Sequence, residues 1–533
     1  MHLTQTLHRA VQQNPERVLT VDGERTRTVA ESAARIARLA GGLHSLGVTA
    51  GGRVAMLAAN SDRYLEYLLA VPWADGVVVP LNTRWSEAEL AGAVRESGTR
   101  ALLVDFAFSG MGERLRGQCP ELAAVVCCDD GPSPAGMVDY EQLVANAEPV
   151  ADARRGGDAL FGVFYTGGTT GSPKGVQLSH DNLMVSALGC QASGEFISRR
   201  GRLLHVAPMF HLADIAAWLA GMLAEATHVV LPAFTPEGVL AEICRRRVTD
   251  LLLVPTMIQM LVDHPAAASQ DLSGVRRVVY GASPISDALL ARAREVFSGT
   301  AFTQAYGMTE LAPVATILGA ADHDDPALRR SAGRAAPHVE VRVVDPEDHE
   351  VPLGVVGEVV VRGDSVTPGY WRCEEETAQA LRGGWMHTGD GGYLDERGYL
   401  FIVDRIKDMI ISGGENVYSA EVENALAQHP AVAACAVIGV PDPTWGERVH
   451  AVVVPTAGQE VAEQELSEFC RGRIAGYKVP RSVAFVDKLP LSAAGKVLKR
   501  ELRERYRPTG DAGPGERSGR CQPGGHGQAT GGS

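Results

Sequence analysis

Strand and helix patterns alternate from about residue 28 to about residue 280, and this alternation limits the chain to few folds. Apolar residues recur at helical spacing in 28–46 and 62–73, and apolar strand patterns occupy 53–58 and 77–81. The alternation continues through predicted strands at 101–104, 203–207, 229–231, 251–254 and 276–280 and predicted helices beginning near Ser86, Asp214 and Pro236. Such an order favours parallel strands. The sequence therefore predicts an α/β fold whose large amino-terminal domain has helix-covered, mainly parallel sheets.

The pattern changes near residue 339. Short strands at 339–344, 357–362 and 399–403 predict a small, β-barrel-like element. A separate α+β pattern follows residue 408, with helices at 419–428 and 463–473 and strands at 432–438, 448–454 and 482–485. Residues after about 508 are rich in Gly and Pro, so we expect disorder there. The predicted organisation is an amino-terminal domain at 1–404, a hinge at 405–408, a small mobile α+β domain at 409–506 and a tail at 507–533.

The composition is that of a globular enzyme that does not bind nucleic acid. Of 533 residues, 45% are apolar and 21% are charged, and the formal net charge is −14. A nucleic-acid surface needs clustered Lys and Arg, which this acidic balance disfavours. Nine cysteines without C-x-x-C spacing fit a reducing cytoplasm better than a disulfide framework or a zinc site. The amino terminus lacks a signal-peptide layout, and charged residues and prolines interrupt the most apolar segments, so no transmembrane segment is expected.

Residues 165–176 form a dense set of anion-binding groups and read YTGGTTGSPKGV. Glycine backbones approach phosphate oxygens closely, hydroxyls add donors, and Lys174 adds a positive charge. The apolar run before the loop predicts a buried strand, so the loop is expected at a strand end, where ligands bind α/β sheets. It is not a Walker A loop, because Pro173 precedes Lys174 and Gly175 follows it. An ordinary Gly-rich surface turn is the alternative.

Six further stretches complete a recognisable set. They are APMFHLAD with His211, YGASP with Gly281 to Pro284, QAYGMTE ending at Glu310, WMHTGD ending at Asp390, DRIKDMIISGGENVYSAEVE beginning at Asp404, and PLSAAGKVLKREL with Lys496. Together with the glycine-rich loop, they resemble in order, identity and spacing the motifs of the adenylate-forming family. That family contains acyl-CoA synthetases, firefly-type luciferases and the adenylation domains of nonribosomal synthetases. The resemblance extends from about residue 26 to residue 502.

The resemblance implies a site for ATP and Mg²⁺. The nucleotide-binding positions would be Thr166, Gly167, Gly168, Thr169, Thr170, Gly171, Lys174, Gly281, Ala282, Ser283, Tyr306, Gly307, Thr309, Asp390 and Arg405. By this resemblance, Tyr306 lies against the adenine and Thr309 hydrogen-bonds the α-phosphate. Asp390 accepts the ribose hydroxyls and Arg405 adds a ribose contact. Glu310 resembles the Mg²⁺ ligand. Outside this context, Glu310 would be a solvated loop carboxylate and Asp390 a turn residue.

The resemblance also assigns roles in the carboxyl-terminal part. Lys496 is similar to the lysine that bridges the substrate carboxylate and the α-phosphate during adenylation, and a solvated lysine is the alternative. Lys407 occupies the hinge position, about which the small domain would rotate to admit coenzyme A. The coenzyme A channel would contain Ser412, Gly413, Gly414, Trp445 and, as a phosphate contact, Lys478. For Trp445, packing in the core is the competing interpretation.

The stretch APMFHLAD bears on the identity of the acid substrate. Adenylation domains that use amino acids carry Asp directly after the Phe, whereas this chain has His211, so an amino acid is disfavoured and His211 would gate or line an acyl pocket. A histidine packed behind the pocket is the alternative. The remaining pocket residues would be Ile215, Trp218, Met257, Ala282, Ala305 and Gly307. They are small or apolar, which suits an aliphatic tail or an aromatic ring, and the sequence does not separate these two.

These observations favour a carboxylate–CoA ligase that uses ATP, Mg²⁺ and coenzyme A. The residues with catalytic roles would be Lys496, Glu310, Thr309 and His211. A homodimer is one assembly that remains open. Two other classes remain open. One is an enzyme that passes the acyl group to a carrier protein, although no carrier domain follows residue 502. The other is a catalytically inactive nucleotide sensor, which the presence of Lys174, Glu310, Asp390 and Lys496 argues against.

Overall fold

The computed structural model describes residues 1–166, 173–459, 461–492 and 497–507. Its helices are α1 Gln5–Gln13, α2 Val29–Ser45, α3 Asp62–Trp73, α4 Glu87–Ser97, α5 Ser109–Gln118, α6 Tyr140–Asn146, α7 His180–Ala192, α8 Leu212–Leu223, α9 Pro236–Arg246, α10 Pro255–Val262, α11 Asp287–Val296, α12 Glu374–Ala380, α13 Ser419–Leu426, α14 Glu463–Arg471 and α15 Lys499–Tyr506. Short 3₁₀ helices include Thr309–Leu311 and Ile406–Asp408. The predicted disordered tail lies outside the described residues.

Strands and helices largely alternate along the chain up to β14, and beyond it most of the elements are strands. They are β1 Val18–Asp22, β2 Arg25–Thr28, β3 Arg53–Leu57, β4 Val77–Pro80, β5 Thr99–Val104, β6 Ala124–Cys127, β7 Val138–Asp139, β8 Leu160–Thr166, β9 Lys174–Ser179, β10 Arg202–His205, β11 Thr227–Val230, β12 Asp250–Leu253, β13 Arg277–Gly281, β14 Ala301–Gly307, β15 Val314–Leu318, β16 Arg334–Ala335, β17 Glu340–Val344, β18 Gly357–Arg362, β19 Gly369–Tyr370, β20 Met386–Leu394, β21 Leu400–Arg405, β22 Ile410–Ser412, β23 Glu415–Val417, β24 Val432–Asp442, β25 Gly446–Pro455 and β26 Ser482–Phe485.

Two large sheets form the amino-terminal part. One has the order β16-β15-β14-β13-β12-β10-β11-β1-β2, and the other has the order β19-β9-β8-β4-β3-β5-β6-β7. The central pairs in both, from β14 to β1 and from β8 to β7, are parallel, and antiparallel strands are added at the edges. Central strands are buried on both faces, which is why they read as continuous apolar runs. The predicted α/β class is confirmed.

Capping residues fix the starts of the predicted helices. The Thr28 hydroxyl accepts from the backbone N–H of Glu31, and the Glu31 carboxylate accepts from the N–H of Thr28. Ser86 and Glu89 form the same reciprocal pair, as predicted. Thr235 caps α9, which begins with a proline. These caps satisfy backbone donors that a helix otherwise leaves without a partner.

Two smaller sheets form the rest of the described chain. The first is antiparallel, with the order β17-β18-β20-β21, and it follows the predicted change of pattern near residue 339. The second, β23-β22-β25-β24 with β26 paired to β25, packs with α13 and α14 as a small α+β unit. The 3₁₀ helix Ile406–Asp408 connects the two. In the described residues, no helix has the length and apolar character needed to cross a membrane.

Candidate active site

The carboxyl ends of four adjacent strands form the floor of the candidate site. In the sheet order β14-β13-β12-β10, neighbouring strands are parallel, so their carboxyl ends meet at one edge. Segments with the predicted motifs leave this edge: 206–211 after β10, 254–257 after β12, 281–284 after β13 and 307–310 after β14. This is the edge at which α/β sheets bind ligands. The structure therefore brings the segments of His211, Met257, Ala282 and Thr309 to one place.

A tyrosine, an aspartate and an arginine are joined at this edge. The Tyr306 hydroxyl donates to Oδ2 of Asp390 at 2.7 Å. Nε of Arg405 lies 3.1 Å from Oδ1 of the same carboxylate, because Asp390 and Arg405 are paired across β20 and β21. Burial, and then the neighbouring carboxylate, raise the pKa of the Tyr306 phenol. The three residues predicted to bind the nucleoside are therefore in direct contact.

A second tyrosine joins the predicted metal ligand to the phosphate-loop lysine. The Tyr370 hydroxyl donates to Oε1 of Glu310 at 2.9 Å, and Glu310 is only 6% exposed. The ammonium of Lys174 lies 5.5 Å from the centre of the Tyr370 ring and 3.7 Å from Oε1 of Glu376. Burial first, and then Glu310, raise the pKa of Tyr370. Glu310 and Lys174, which are 136 positions apart, thus both lie beside Tyr370.

The glycine-rich loop joins two antiparallel strands. Thr166 ends β8, Lys174 begins β9, and these two residues pair with each other. The predicted strand before the loop is confirmed, and its residues 161–164 are buried. A strand follows the loop, whereas a Walker A loop leads into a helix. Gly167, Gly168, Thr169, Thr170 and Gly171 lie outside the described residues.

Small residues let β13 and β14 approach each other and their surroundings. A Cβ atom at Gly281 would collide with the carbonyl oxygen of Ala305, and one at Gly307 would collide with the carbonyl oxygen of Pro313. Ala282 has a positive φ of 67°, a backbone conformation that is strained for a residue with a side chain. Ser283 follows in the same turn. These positions therefore tolerate little added volume.

The predicted acyl-pocket residues fall into different buried clusters. Ile215 and Trp218, both on α8, are 0% and 1% exposed and pack with residues of α2 and α3. Ala305 packs instead against a cluster that contains Ala217 and Ala220 of the opposite face of α8. Met257 packs with a third cluster around α9 and α10. The structure thus does not bring the Ile215 and Trp218 side chains together with Ala305, and their contact with an acyl group stays a prediction.

Lys496 lies outside the described residues, but both ends of its loop are described. Leu491 and Val497 form a β-bridge, and Nη1 of Arg84 donates to the carbonyl oxygen of Ser492 at 3.3 Å. Next to Arg84, the Trp85 ring makes an edge contact with the ring of Tyr165, with centroids 6.3 Å apart. Tyr165 directly precedes the phosphate loop. The flank of the Lys496 loop therefore lies beside the flank of the phosphate loop.

The hinge position lies in the connection between the two parts. Lys407 is in the 3₁₀ helix Ile406–Asp408, after β21 and before β22. Burial, and then Arg405, lower the pKa of its ammonium. Nη1 of Arg503 on α15 lies 2.8 Å from Oδ1 of Asp408, so α15 contacts the connection directly. The hinge function of Lys407 stays a prediction.

The predicted coenzyme A residues lie close together on the small sheet. Ser412 ends β22, and Gly413 and Gly414 form the turn to β23 with positive φ angles of 63° and 82°. The backbone N–H of Gly413 donates to the carbonyl oxygen of Trp445 at 2.8 Å. Trp445 is 38% exposed, so it is a surface residue, which disfavours the core-packing interpretation.

Arg481 lies against this tryptophan, whereas the predicted phosphate contact Lys478 is paired with a carboxylate. The Arg481 guanidinium lies 3.8 Å from the Trp445 ring centre. The Lys478 ammonium bonds both carboxylate oxygens of Glu421, at 2.8 and 2.7 Å. Burial alone would lower the pKa of Lys478, but these bonds raise it. A coenzyme A phosphate would have to compete with Glu421 for the Lys478 ammonium. Arg481 instead lies against the Trp445 ring.

Three residues of the site were not predicted. They are Tyr370, Arg84 and Arg481, and the first two carry no local pattern that distinguishes them in the sequence. Tyr370 reaches Glu310 across 60 positions and Arg84 reaches Ser492 across 408 positions, and only the folded chain shows such contacts. A signal for Arg481 was its place three residues after Lys478, in the same basic segment.

Comparisons with family models and with known proteins identify the family of this chain. The model of the AMP-binding enzyme family matches residues 7–371, and that of the AMP-binding enzyme C-terminal domain matches residues 421–496. Feruloyl-CoA synthase of Amycolatopsis sp is 41% identical over 503 residues, which cover 93% of this chain and 98% of that protein. The fatty acid–[acyl-carrier-protein] ligase ScoC of Streptomyces coeruleorubidus is 35% identical, with 95% and 96% covered.

A solved structure gives the same result for the fold. The anthranilate CoA ligase AuaEII, in complex with anthranoyl-AMP, superposes with a TM-score of 0.88 at 25% identity, covering 95% of this chain and 97% of that chain. Both family models, the long sequence matches and the shared fold indicate the same family. The chain therefore belongs to the AMP-binding enzyme family, in its acyl-CoA synthetase branch.

Proposed function

We propose that this ATP-dependent acid–CoA ligase acts on a carboxylic acid with an apolar, ring-bearing body, of the hydroxycinnamate class. The observation that carries the proposal is the set of small, uncharged residues at the carboxyl edge of β13 and β14, Ala282, Ala305 and Gly307, beside Tyr306 and Thr309. Small, uncharged residues of this kind suit a flat ring that is bound mainly by burial. The identity to feruloyl-CoA synthase and the shared fold with an anthranilate CoA ligase support an aromatic acid.

A carboxylate is a poor electrophile, so the acid is activated in one step and transferred in a second. In the first, a carboxylate oxygen attacks the α-phosphorus of ATP, an O–P bond forms, and pyrophosphate leaves as its bond to that phosphorus breaks. In the second, the thiolate of coenzyme A attacks the acyl carbonyl, a C–S bond forms, and AMP leaves with the electrons of the broken C–O bond. Positive groups that face the α-phosphate in the first step lower its barrier.

The residues have separate tasks in this proposal. Asp390, held by Tyr306 and Arg405, would bind the ribose hydroxyls, and the Tyr306 ring would lie against the adenine. Lys174 and the hydroxyl of Thr309 would bind phosphate oxygens. Lys496 would neutralise the carboxylate and the α-phosphate as they meet.

Glu310 is the residue that fits Mg²⁺. Protein sites hold this ion by one or two carboxylates together with substrate phosphates. A single buried carboxylate, oriented by the Tyr370 hydroxyl, suits that arrangement. Over the described ranges, no group of three or more His, Cys, Asp or Glu side chains forms a metal cage of protein ligands alone. The ion, when bound with ATP, would neutralise charge on the phosphate oxygens.

Pyrophosphate release is the experiment that tests this function. Purified protein is incubated with Mg·ATP and, in separate reactions, with ferulate, decanoate or no acid, with and without coenzyme A. We expect release that depends on ferulate, feruloyl-CoA when coenzyme A is added, and a kcat/KM for ferulate at least about tenfold above that for decanoate. No acid-dependent release would contradict the ligase, and a preference for decanoate would contradict the aromatic substrate.

The acyl acceptor is a second variable in the same assay. The 35% identity to a fatty acid–[acyl-carrier-protein] ligase keeps a carrier protein as the alternative acceptor. If acyl-adenylate forms, and thioester appears only after a phosphopantetheinyl carrier protein replaces coenzyme A, the carrier protein is the acceptor. Thioester with free coenzyme A supports the proposed ligase.

We also propose a cytoplasmic location and a homodimer. In the described part of the chain the eight cysteines are free thiols, which suits a reducing compartment. Cell fractionation tests the location, and sedimentation velocity of the purified protein tests the dimer.

A further inference from the structure

A buried chain of polar side chains lies behind the segment that carries His211. The imidazole of His205, at the end of β10, places Nδ1 2.8 Å from Oδ2 of Asp214 in the first turn of α8. Nε2 of the same ring lies 2.9 Å from Nδ1 of His228 on β11. The side chains of His205 and Asp214 are 0% and 3% exposed, and His228 is 0% exposed. An ionised carboxylate only accepts, so Nδ1 of His205 donates to Asp214.

This network of hydrogen-bonded side chains fixes both ends of the 206–211 segment. His205 precedes the segment directly, and Asp214 follows it within one helical turn. The backbone N–H groups of Asp214 and Ile215 donate to the carbonyl oxygen of His211, at 3.1 and 3.4 Å. The bond between His205 and Asp214 therefore closes the segment into a loop whose ends cannot separate without leaving a buried carboxylate unpaired. Such a loss is costly.

A second buried side chain fixes the middle of the segment. The Asn60 amide donates to the carbonyl oxygen of Ala207 at 2.9 Å and accepts from the backbone N–H of Met209 at 2.8 Å. Asn60 is 6% exposed and comes from the other large sheet, after β3. The segment is thus held at its ends by one polar network and at its centre by another.

His228, at the other end of the polar network, is also buried. His228 and Ser32 both line one small cavity. Burial, and then His205, lower the pKa of His228 well below its usual range. A Cβ atom at Gly221 of α8 would approach Cε1 of His228 to 2.8 Å, so the ring packs directly on the helix backbone.

We propose that Asp214, His205 and Asn60 are positioning residues for the acyl pocket, which hold the 206–211 segment and with it His211 in the orientation that accepts the acid. The inference rests on the proposed function, because it takes the pocket to lie at the carboxyl edge of β10. None of the three residues needs to touch the substrate. A small displacement of residues that orient a substrate can reduce turnover strongly.

Steady-state pyrophosphate release with ferulate tests the inference through KM values. For Asp214→Ala and for Asn60→Ala we expect the KM for ferulate to rise about tenfold while the KM for ATP stays within about twofold. Asp214→Asn keeps an oxygen acceptor of the same shape for Nδ1 of His205, so it should remain within about threefold of wild type. The conservative variant separates loss of the negative charge from loss of the hydrogen bond.

Asp250→Ala is the matched control. Asp250 is a fully buried carboxylate of the same sheet, but it lies at the amino end of β12, where it accepts from the N–H of Ser198 at 2.8 Å. This variant should lose stability and leave the KM for ferulate within about twofold of wild type. If Asp250→Ala and Asp214→Ala raise that KM equally, the positioning role is wrong.

Amide hydrogen exchange supplies a readout that needs no activity. In the Asp214→Ala and Asn60→Ala proteins, the peptide that spans 206–216 should exchange at least about tenfold faster, with little change for Asp250→Ala. Unchanged exchange in that peptide would overturn the inference even if activity falls. If the wild-type protein itself releases no pyrophosphate with any acid, the proposed function fails, whereas exchange still decides whether the polar network holds the segment.

Discussion

Two tyrosine hydroxyls, each bonded to a carboxylate, define the candidate nucleotide site at the scale of single residues. Tyr306 bonds Asp390 at 2.7 Å and Tyr370 bonds Glu310 at 2.9 Å. A phenol donates one hydrogen bond, and its oxygen lies in the plane of the packed ring, so each tyrosine orients one carboxylate oxygen. One pair would bind the ribose and the other the metal.

Removal of the Asp390 carboxylate should weaken ATP binding. Asp390→Ala loses a charged acceptor that would bind both ribose hydroxyls, so we expect the KM for ATP to rise about 100-fold. Tyr306→Phe, which keeps the ring and the carboxylate, should raise it about tenfold. Pyrophosphate release at varied ATP measures both. An Asp390→Ala protein with the wild-type KM for ATP would contradict the ribose assignment.

Loss of the Tyr370 hydroxyl should change the requirement for Mg²⁺. Without this donor the Glu310 carboxylate is less well oriented, so in Tyr370→Phe the Mg²⁺ concentration for half-maximal pyrophosphate release should rise about three- to tenfold. Tyr140→Phe is the matched control, because the Tyr140 hydroxyl also bonds a buried glutamate, Glu66, at 2.6 Å. Tyr140 begins α6 directly after β7, at the opposite edge of the sheet from β19 and Tyr370. An equal shift in both variants would argue against a metal role for Glu310.

At the scale of elements, patterns within about twenty residues were predictable and pairings between distant elements were not. The helix Asp62–Trp73 and the strand Gly357–Arg362 have their predicted bounds, because apolar periodicity and flanking caps are local properties. The short strand β19 was missed, since its pairing with β9 joins positions almost 200 residues apart. With it Tyr370 was missed, whereas the motif residues Tyr306, Asp390 and Arg405 were predicted.

The turn between β24 and β25 should act only in the second half-reaction. It presents Trp445 against Gly413 with the Arg481 guanidinium over its ring. If the indole stacks on the adenine of coenzyme A, Trp445→Ala should raise the KM for coenzyme A about tenfold. Adenylation in the absence of coenzyme A should stay at the wild-type rate. Loss of both half-reactions would show that Trp445 is structural.

At the scale of the whole molecule, the question is how the small carboxyl-terminal part meets the large part. Arg84 of the amino-terminal part donates to the carbonyl oxygen of Ser492, and its neighbour Trp85 contacts Tyr165 at the start of the phosphate loop. If Lys496 has its proposed role, adenylation would require this arrangement, since it places the flank of the Lys496 loop beside the flank of the phosphate loop. The connection at Ile406–Asp408 is short, so a rotation there would move the whole small sheet.

The Arg84 contact should favour adenylation over thioester formation. Its side chain is exposed and, among the described residues, makes one hydrogen bond of 3.3 Å, so Arg84→Ala should slow pyrophosphate release only about three- to tenfold. Thioester formation from supplied feruloyl-adenylate should change less than about twofold. Arg95→Ala, on the nearby helix α4, is the control. An equal slowing of both half-reactions would count against the contact.

The most direct test of the account is the Lys496→Ala variant, assayed separately in the two half-reactions. Because the lysine would neutralise the carboxylate and the α-phosphate only while they join, pyrophosphate release should fall at least about 100-fold. Thioester formation from supplied acyl-adenylate and coenzyme A should stay within about threefold of wild type. Equal loss in both half-reactions, or wild-type pyrophosphate release, would contradict the role of Lys496 and with it the account of how this chain activates an acid.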